Sequence, residues 1–120
     1  MNLDLHREEI LTPLRSRAVK LRNEDAVWNA VKELAARQAA EPMDLTALTY
    51  ALALIYARHT GAIPGYTNAD AETVFEKFAG SLYRAINPRA TQNQIRAVMK
   101  KIDPKRNAQF QADLNPPAQS

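Results

Sequence analysis

Apolar side chains recur every three to four positions along most of this chain, and that spacing permits one class of fold. The clearest stretch lies within 44–59. Leu45, Leu48, Leu52 and Ile55 make one row there, and Ala47, Ala51 and Leu54 make another. Rows with this spacing share a face only on an α-helix, which turns once in about 3.6 residues. A helix that is apolar on nearly every side must have neighbours on nearly every side. The pattern therefore predicts a central helix near 45–57 with other helices packed around it. Arg58 and His59 fall in its last turn, where cations meet the negative end of the helix dipole. Gly61 follows as a C-terminal cap. The charge-free run 45–57 is shorter than the roughly 20 residues a membrane-crossing helix needs, so no membrane span is expected.

The same rule marks the other helices. Within 4–22, Thr12-Pro13 interrupts the pattern, because proline lacks an amide donor and clashes with the preceding turn. Thr12 is expected to cap a restarted helix with Pro13 at its first position. Leu14, Ala18 and Leu21 would then face inward, with Arg15, Arg17, Lys20 and Arg22 spread over solvated faces. A helix over 24–40 is expected after an Asn23 cap, with Glu24 and Asp25 favouring its positive end. Val27, Val31, Leu34, Ala35 and Gln38 follow the helical period, which makes one face apolar, and Trp28 lies at the edge of that stripe. A loop over 60–68 carries Ile63 and Tyr66, which are expected to fold back over the end of the bundle.

A helix over 69–86 follows, with Thr67 and Asp70 at capping-box spacing. Ala71, Val74, Phe75, Phe78, Leu82 and Ile86 are its inward residues, and Gly80 is placed for close approach of another helix. Asn87-Pro88 ends it. Thr91 and Gln94 form the capping box of a helix reaching 102, with Ile95, Val98, Met99 and Ile102 inward. Asp103-Pro104 would stop that helix and lead into a short sixth one carrying Phe110 and Leu114. Strand-like alternation and internal repeats are absent. The expected fold is all-α, a compact bundle of five or six helices. It forms a single domain over 1–114, with a mobile tail over 115–120.

Composition narrows the function. Cysteine is absent, so thiolate chemistry and disulfides are excluded. The polar, acidic stretch 1–9 does not read as a secretory signal, which makes a cytoplasmic location the expectation. His6 and His59 lie far apart, and His6 near Glu9 reads as a surface pair. The sequence holds no Gly-rich phosphate loop, metal-ligand spacing, nucleophile motif or paired-carboxylate motif. The chain is therefore read as no enzyme, with no cofactor, no metal and no small-molecule substrate.

Charge is distributed unevenly. Residues 1–60 hold eight basic and eight acidic side chains, whereas 61–120 hold eight and five. Between 84 and 106 there are seven basic residues and one acid, Asp103. The leading expectation is a small non-catalytic binding protein acting through protein–protein contacts, as an adaptor, inhibitor or regulator. Its partner would be another protein or a second copy of itself. Trp28, Tyr66 and Tyr83 are the aromatic contact candidates, since aromatic side chains are enriched at interfaces. The alternative is nucleic-acid binding through a helix-turn-helix-like pair over about 69–102. Gln92, Asn93, Arg96 and Lys100 would then face the bases, while Arg89, Lys101, Lys105 and Arg106 would contact phosphates. In the protein-partner reading the same eight residues would meet an acidic face.

Overall fold

Local capping chemistry sets the bounds of several helices of this chain, and tertiary packing decides which face is hidden. The computed structural model describes residues 3–15, 19–64, 73–86 and 92–115. Among them are six α-helices and no strand: α1 (Arg7–Leu11), α2 (Glu24–Ala40), α3 (Leu45–Thr60), α4 (Val74–Ile86), α5 (Gln92–Ile102) and α6 (Ala108–Leu114). Single 3-10 turns, Leu3–His6 and Thr12–Arg15, flank α1. The radius of gyration is 13.7 Å, that of a compact globule.

Asn23 caps α2 from an extended backbone, its side chain accepting the Ala26 amide at 3.1 Å. Asp44 does the same for α3, accepting the Ala47 amide at 2.8 Å. Gly61 closes α3 in the left-handed region at φ 71°, where its lack of a Cβ matters. The start of α4 departs from the expected 69. Thr73 Oγ1 accepts the Glu76 amide at 3.1 Å and the Thr73 amide donates to Glu76 Oε1 at 3.0 Å. That reciprocal pair is a complete capping box and sets Val74 as the first residue. The expected Thr67/Asp70 and Thr91/Gln94 boxes involve Thr67, Asp70 and Thr91, which lie outside the described residues, as do Ala71 and 116–120 of the tail.

The expected restart at Thr12 is corrected. Thr12 keeps helical backbone angles, and its hydroxyl donates to the Glu8 carbonyl, so it finishes α1 and caps nothing new. Pro13 supplies no amide, and the chain tightens into one 3-10 turn. Leu14 is buried there, while Leu21 is half-buried on non-helical chain and Ala18 lies outside the described residues.

α3 packs against α2, α4, α5 and α6, the central place its pattern predicts. Leu48, Leu52, Ala53, Tyr56 and Ala57 are buried along it, Leu54 and Ile55 are half-buried, and Ala47 is exposed. α4 shares the centre. Phe75, Phe78, Ala79, Leu82, Tyr83 and Ala85 are buried, and so are Glu76, Gly80 and Ser81. The 3–15 segment covers one side of α4, where Ile10, Leu11 and Leu14 join the core. Gly80 is not required by close helix approach. A methyl group built on it would sit 3.9 Å from Ile95 Cδ1 and 3.4 Å from the Arg84 guanidinium, both ordinary contacts. Phe110 anchors α6, fully buried and edge-on to Tyr50 at 5.6 Å.

Candidate interaction surface

The surface worth testing is where α5 ends and the chain turns toward α6. Lys100 and Lys101 stand on the last turn of α5, and Lys105 and Arg106 on the turn that follows; all four are exposed. None of the four makes an ion pair among the described residues. Several other cations are neutralised. Arg7 pairs with Asp25 at 2.7 Å, and Arg15 pairs with Glu8 and Glu24 at 2.6 Å each. Lys32 meets Asp4 at 4.0 Å and Arg84 meets Glu9 at 3.7 Å. Lys20, Arg22, Arg37, Arg58 and Lys77 also make no ion pair among the described residues, but stand on the 19–23 segment, α2, α3 and α4. The 100–106 stretch thus gathers an excess of positive charge, four cations against the one acid Asp103.

Its geometry follows from how α5 ends. Asp103 takes a left-handed conformation, φ 46°, and its amide donates to the Met99 carbonyl at 2.8 Å. Asp is among the few non-glycine residues that adopt this region readily. The Arg106 amide donates to the Asp103 carbonyl at 3.0 Å, closing the turn, and Pro104 is buried beneath it. Asn107 then works at both ends. Its Nδ2 donates to the Ile102 carbonyl at 2.8 Å, and its Oδ1 accepts the Phe110 amide at 3.0 Å. The Gln111 side chain adds a bond to the Pro104 carbonyl at 3.1 Å. An Asn three residues before Phe110 is a helix-start signal that the sequence carries in plain view.

Arg96 departs from the expected outer face. Its Nε donates to Glu76 Oε2 at 2.6 Å, and its side chain is 19% exposed against 0% for Glu76. A carboxylate buried in α4 has turned a guanidinium of α5 inward. Along the outside of α5 remain Asn93, Gln94, Ala97, Lys100 and Lys101. The side chain of Gln92, and Arg89 altogether, lie outside the described residues. So does the 87–91 link between the paired helices.

The aromatic candidates are corrected too. Trp28 is 2% exposed, its Nε1 donating to Asp4 Oδ1 at 3.0 Å with the Arg7 guanidinium 5.7 Å from the ring centroid. Tyr83 is 1% exposed, its hydroxyl bonded to Thr49 Oγ1 at 2.8 Å. Neither ring is open to a partner. Tyr66 lies outside the described residues, and Ile63, expected to fold back, is exposed.

His6 and Glu9 meet on the surface at 3.8 Å. Burial, and then Arg58, hold the His59 imidazole below its ordinary pKa, favouring its neutral form. Among the described residues there is no cluster of three or more His, Asp or Glu able to hold a metal ion, and no helix long and apolar enough to cross a membrane. A shallow cavity of about 310 Å³ is lined by Arg37, Ala40, Glu41 and Met43, a lining without a nucleophile or a metal-binding set.

No family model, curated protein or solved structure matches this chain.

Proposed function

We propose that this chain is a small non-catalytic binding protein that docks an acidic face of a protein partner on the corner formed by Lys100, Lys101, Lys105 and Arg106. The observation that carries the reading is that these four exposed cations fall within seven residues of one turn, against the single acid Asp103, and none of them makes an ion pair among the described residues. A surface of this kind speeds encounter with an oppositely charged partner and sets its orientation. Large apolar anchors do not compete for the role: Leu5 and Ile63 are the large hydrophobic side chains exposed among the described residues.

Nucleic-acid binding is the second reading, favoured by the exposed row Asn93, Ala97 and Lys100 along α5. It is weakened by the inward turn of Arg96, which takes a guanine-reading side chain off that face.

Fluorescence anisotropy separates the two. The probes are a labelled helical peptide with glutamates four residues apart and a labelled short DNA duplex, each titrated at several salt concentrations. The peptide is expected to bind, more weakly as salt rises, and to lose binding when all four cations are replaced by Ala. Tighter binding of the duplex than of the peptide, with the same dependence on the four cations, would install the second reading. Failure of both probes at low salt, or undiminished binding by the fourfold variant, refutes the corner as a contact surface.

A further inference from the structure

Four cations on a loose segment would have to be ordered anew each time a partner arrived, and this turn is not loose. Lys100 and Lys101 stand on α5, and Lys105 and Arg106 follow a reversal through Asp103. The offset between the two pairs depends on how that reversal is held. One side chain reaches across it. Asn107 bonds the last carbonyl of α5, on Ile102, and the third amide of α6, on Phe110. Phe110 is itself fixed in the core against Tyr50, and Pro104 is buried between the two cation pairs. Lys105 and Arg106 thus project from a turn pinned on both sides.

We infer that Asn107 is a positioning residue for partner binding, holding Lys105 and Arg106 at a fixed offset from Lys100 and Lys101 so that the four cations meet a rigid row of carboxylates together. The inference rests on the proposed docking corner. Asn107 itself carries no charge and touches no partner in this scheme. It acts by removing the ordering cost that each immobilised long side chain and its backbone would otherwise add on binding.

The test uses the full chain and the same glutamate-row helical peptide. Asn107→Ala removes both bonds at constant net charge. Asn107→Ser keeps an acceptor for the Phe110 amide, as serine is a good helix cap, but cannot span to the Ile102 carbonyl. Affinity is read by anisotropy and folding by thermal melting. Both variants are expected to lose affinity on the order of three- to tenfold, while Asn107→Ser recovers most of the melting temperature that Asn107→Ala loses. The salt dependence should keep its slope, because the number of cations engaged is unchanged. Recovery of binding together with stability in Asn107→Ser would assign the residue a structural role alone and overturn the inference. Wild-type affinity in both variants would also overturn it, and leave the docking corner standing if the fourfold Ala variant fails to bind. Wild-type affinity in the fourfold variant would remove the corner itself.

Discussion

Glu76 does two jobs that cannot be separated without cost. Its Oε1 accepts the Thr73 amide at the start of α4, and its Oε2 accepts Arg96 Nε from α5. A carboxylate with no exposed surface requires such partners, since desolvation strongly disfavours an unpaired buried charge. The expected asymmetry is large. Arg96→Ala leaves the Glu76 carboxylate without its cation and should destabilise the fold by about 3–5 kcal/mol, a fall in melting temperature readable by circular dichroism. Glu76→Gln combined with Arg96→Met should lie much closer to wild type, because glutamine still accepts the Thr73 amide and the methionine needs no counter-charge. A double variant as unstable as Arg96→Ala would mean that the pair contributes more than mutual neutralisation. Exposed pairs such as Arg15 with Glu8 do not carry that weight. Arg15 holds the Glu8 carboxyl below the ordinary carboxylate range, yet both groups face water and their attraction is screened.

At the scale of the element, α4 holds a glycine in mid-helix with room for a methyl group beside it. Alanine there would add contacts to Ile95 at ordinary distance and cut the backbone freedom of the unfolded chain. Gly80→Ala is expected to stabilise by about 0.5–1 kcal/mol, seen as a higher denaturation midpoint with an unchanged slope in urea. A lower midpoint would show that the helices have no slack at this crossing. The same element marks how far the sequence could be read. Asn23, Asp44 and Gly61 act on their own helix ends, so their signals are local, and the bounds of α2 and α3 follow from them. The inward residues Ile95, Met99, Ile102 and Phe110 follow from periodicity in the same way. Trp28 and Tyr83 were not legible, because an edge residue is hidden or open according to what packs from the other side. For Trp28 that covering is made with Asp4 and Arg7, more than twenty residues away. Arg96 looked outward on its own helix, and only the buried Glu76, twenty residues earlier, turns it in. The proposed docking corner is half legible. Its four cations stand out as a run, whereas the reversal at Asp103 and the reach of Asn107 appear only once α6 is placed.

For the whole molecule, the ionisable groups predict a stability curve with two different limbs. His59 has its pKa lowered in the folded chain by burial and then by Arg58, so the unfolded chain binds its proton first on acidification. Its contribution to stability is present above the unfolded value of about 6.5 and is lost as pH falls through the folded one. Asp113 has its pKa lowered by its hydrogen bonds from Tyr50 and Gln109, so its contribution disappears at lower pH, below the ordinary carboxylate value. Tyr50 runs the other way: burial, then Asp113, push it up to about 12. That phenol stabilises the fold below the unfolded value near 10, and the benefit declines as pH rises toward its folded value. Burial raises Tyr83 in the same sense. The melting temperature should therefore fall on acidification, first through His59 and then, more shallowly, through the lowered carboxylates Asp113 and Glu8, and fall on the alkaline side. His59→Asn should remove the acid decline nearest neutrality and Asp113→Asn part of the lower one, while Tyr50→Phe shrinks the alkaline limb and leaves the share of the buried Tyr83. Circular dichroism melts across pH 3 to 11 provide the measurement. A wild-type curve level between pH 7 and 5, or the same decline there in His59→Asn, would mean that α3 accepts a charged imidazole in its last turn, and that the dipole at that end outweighs burial.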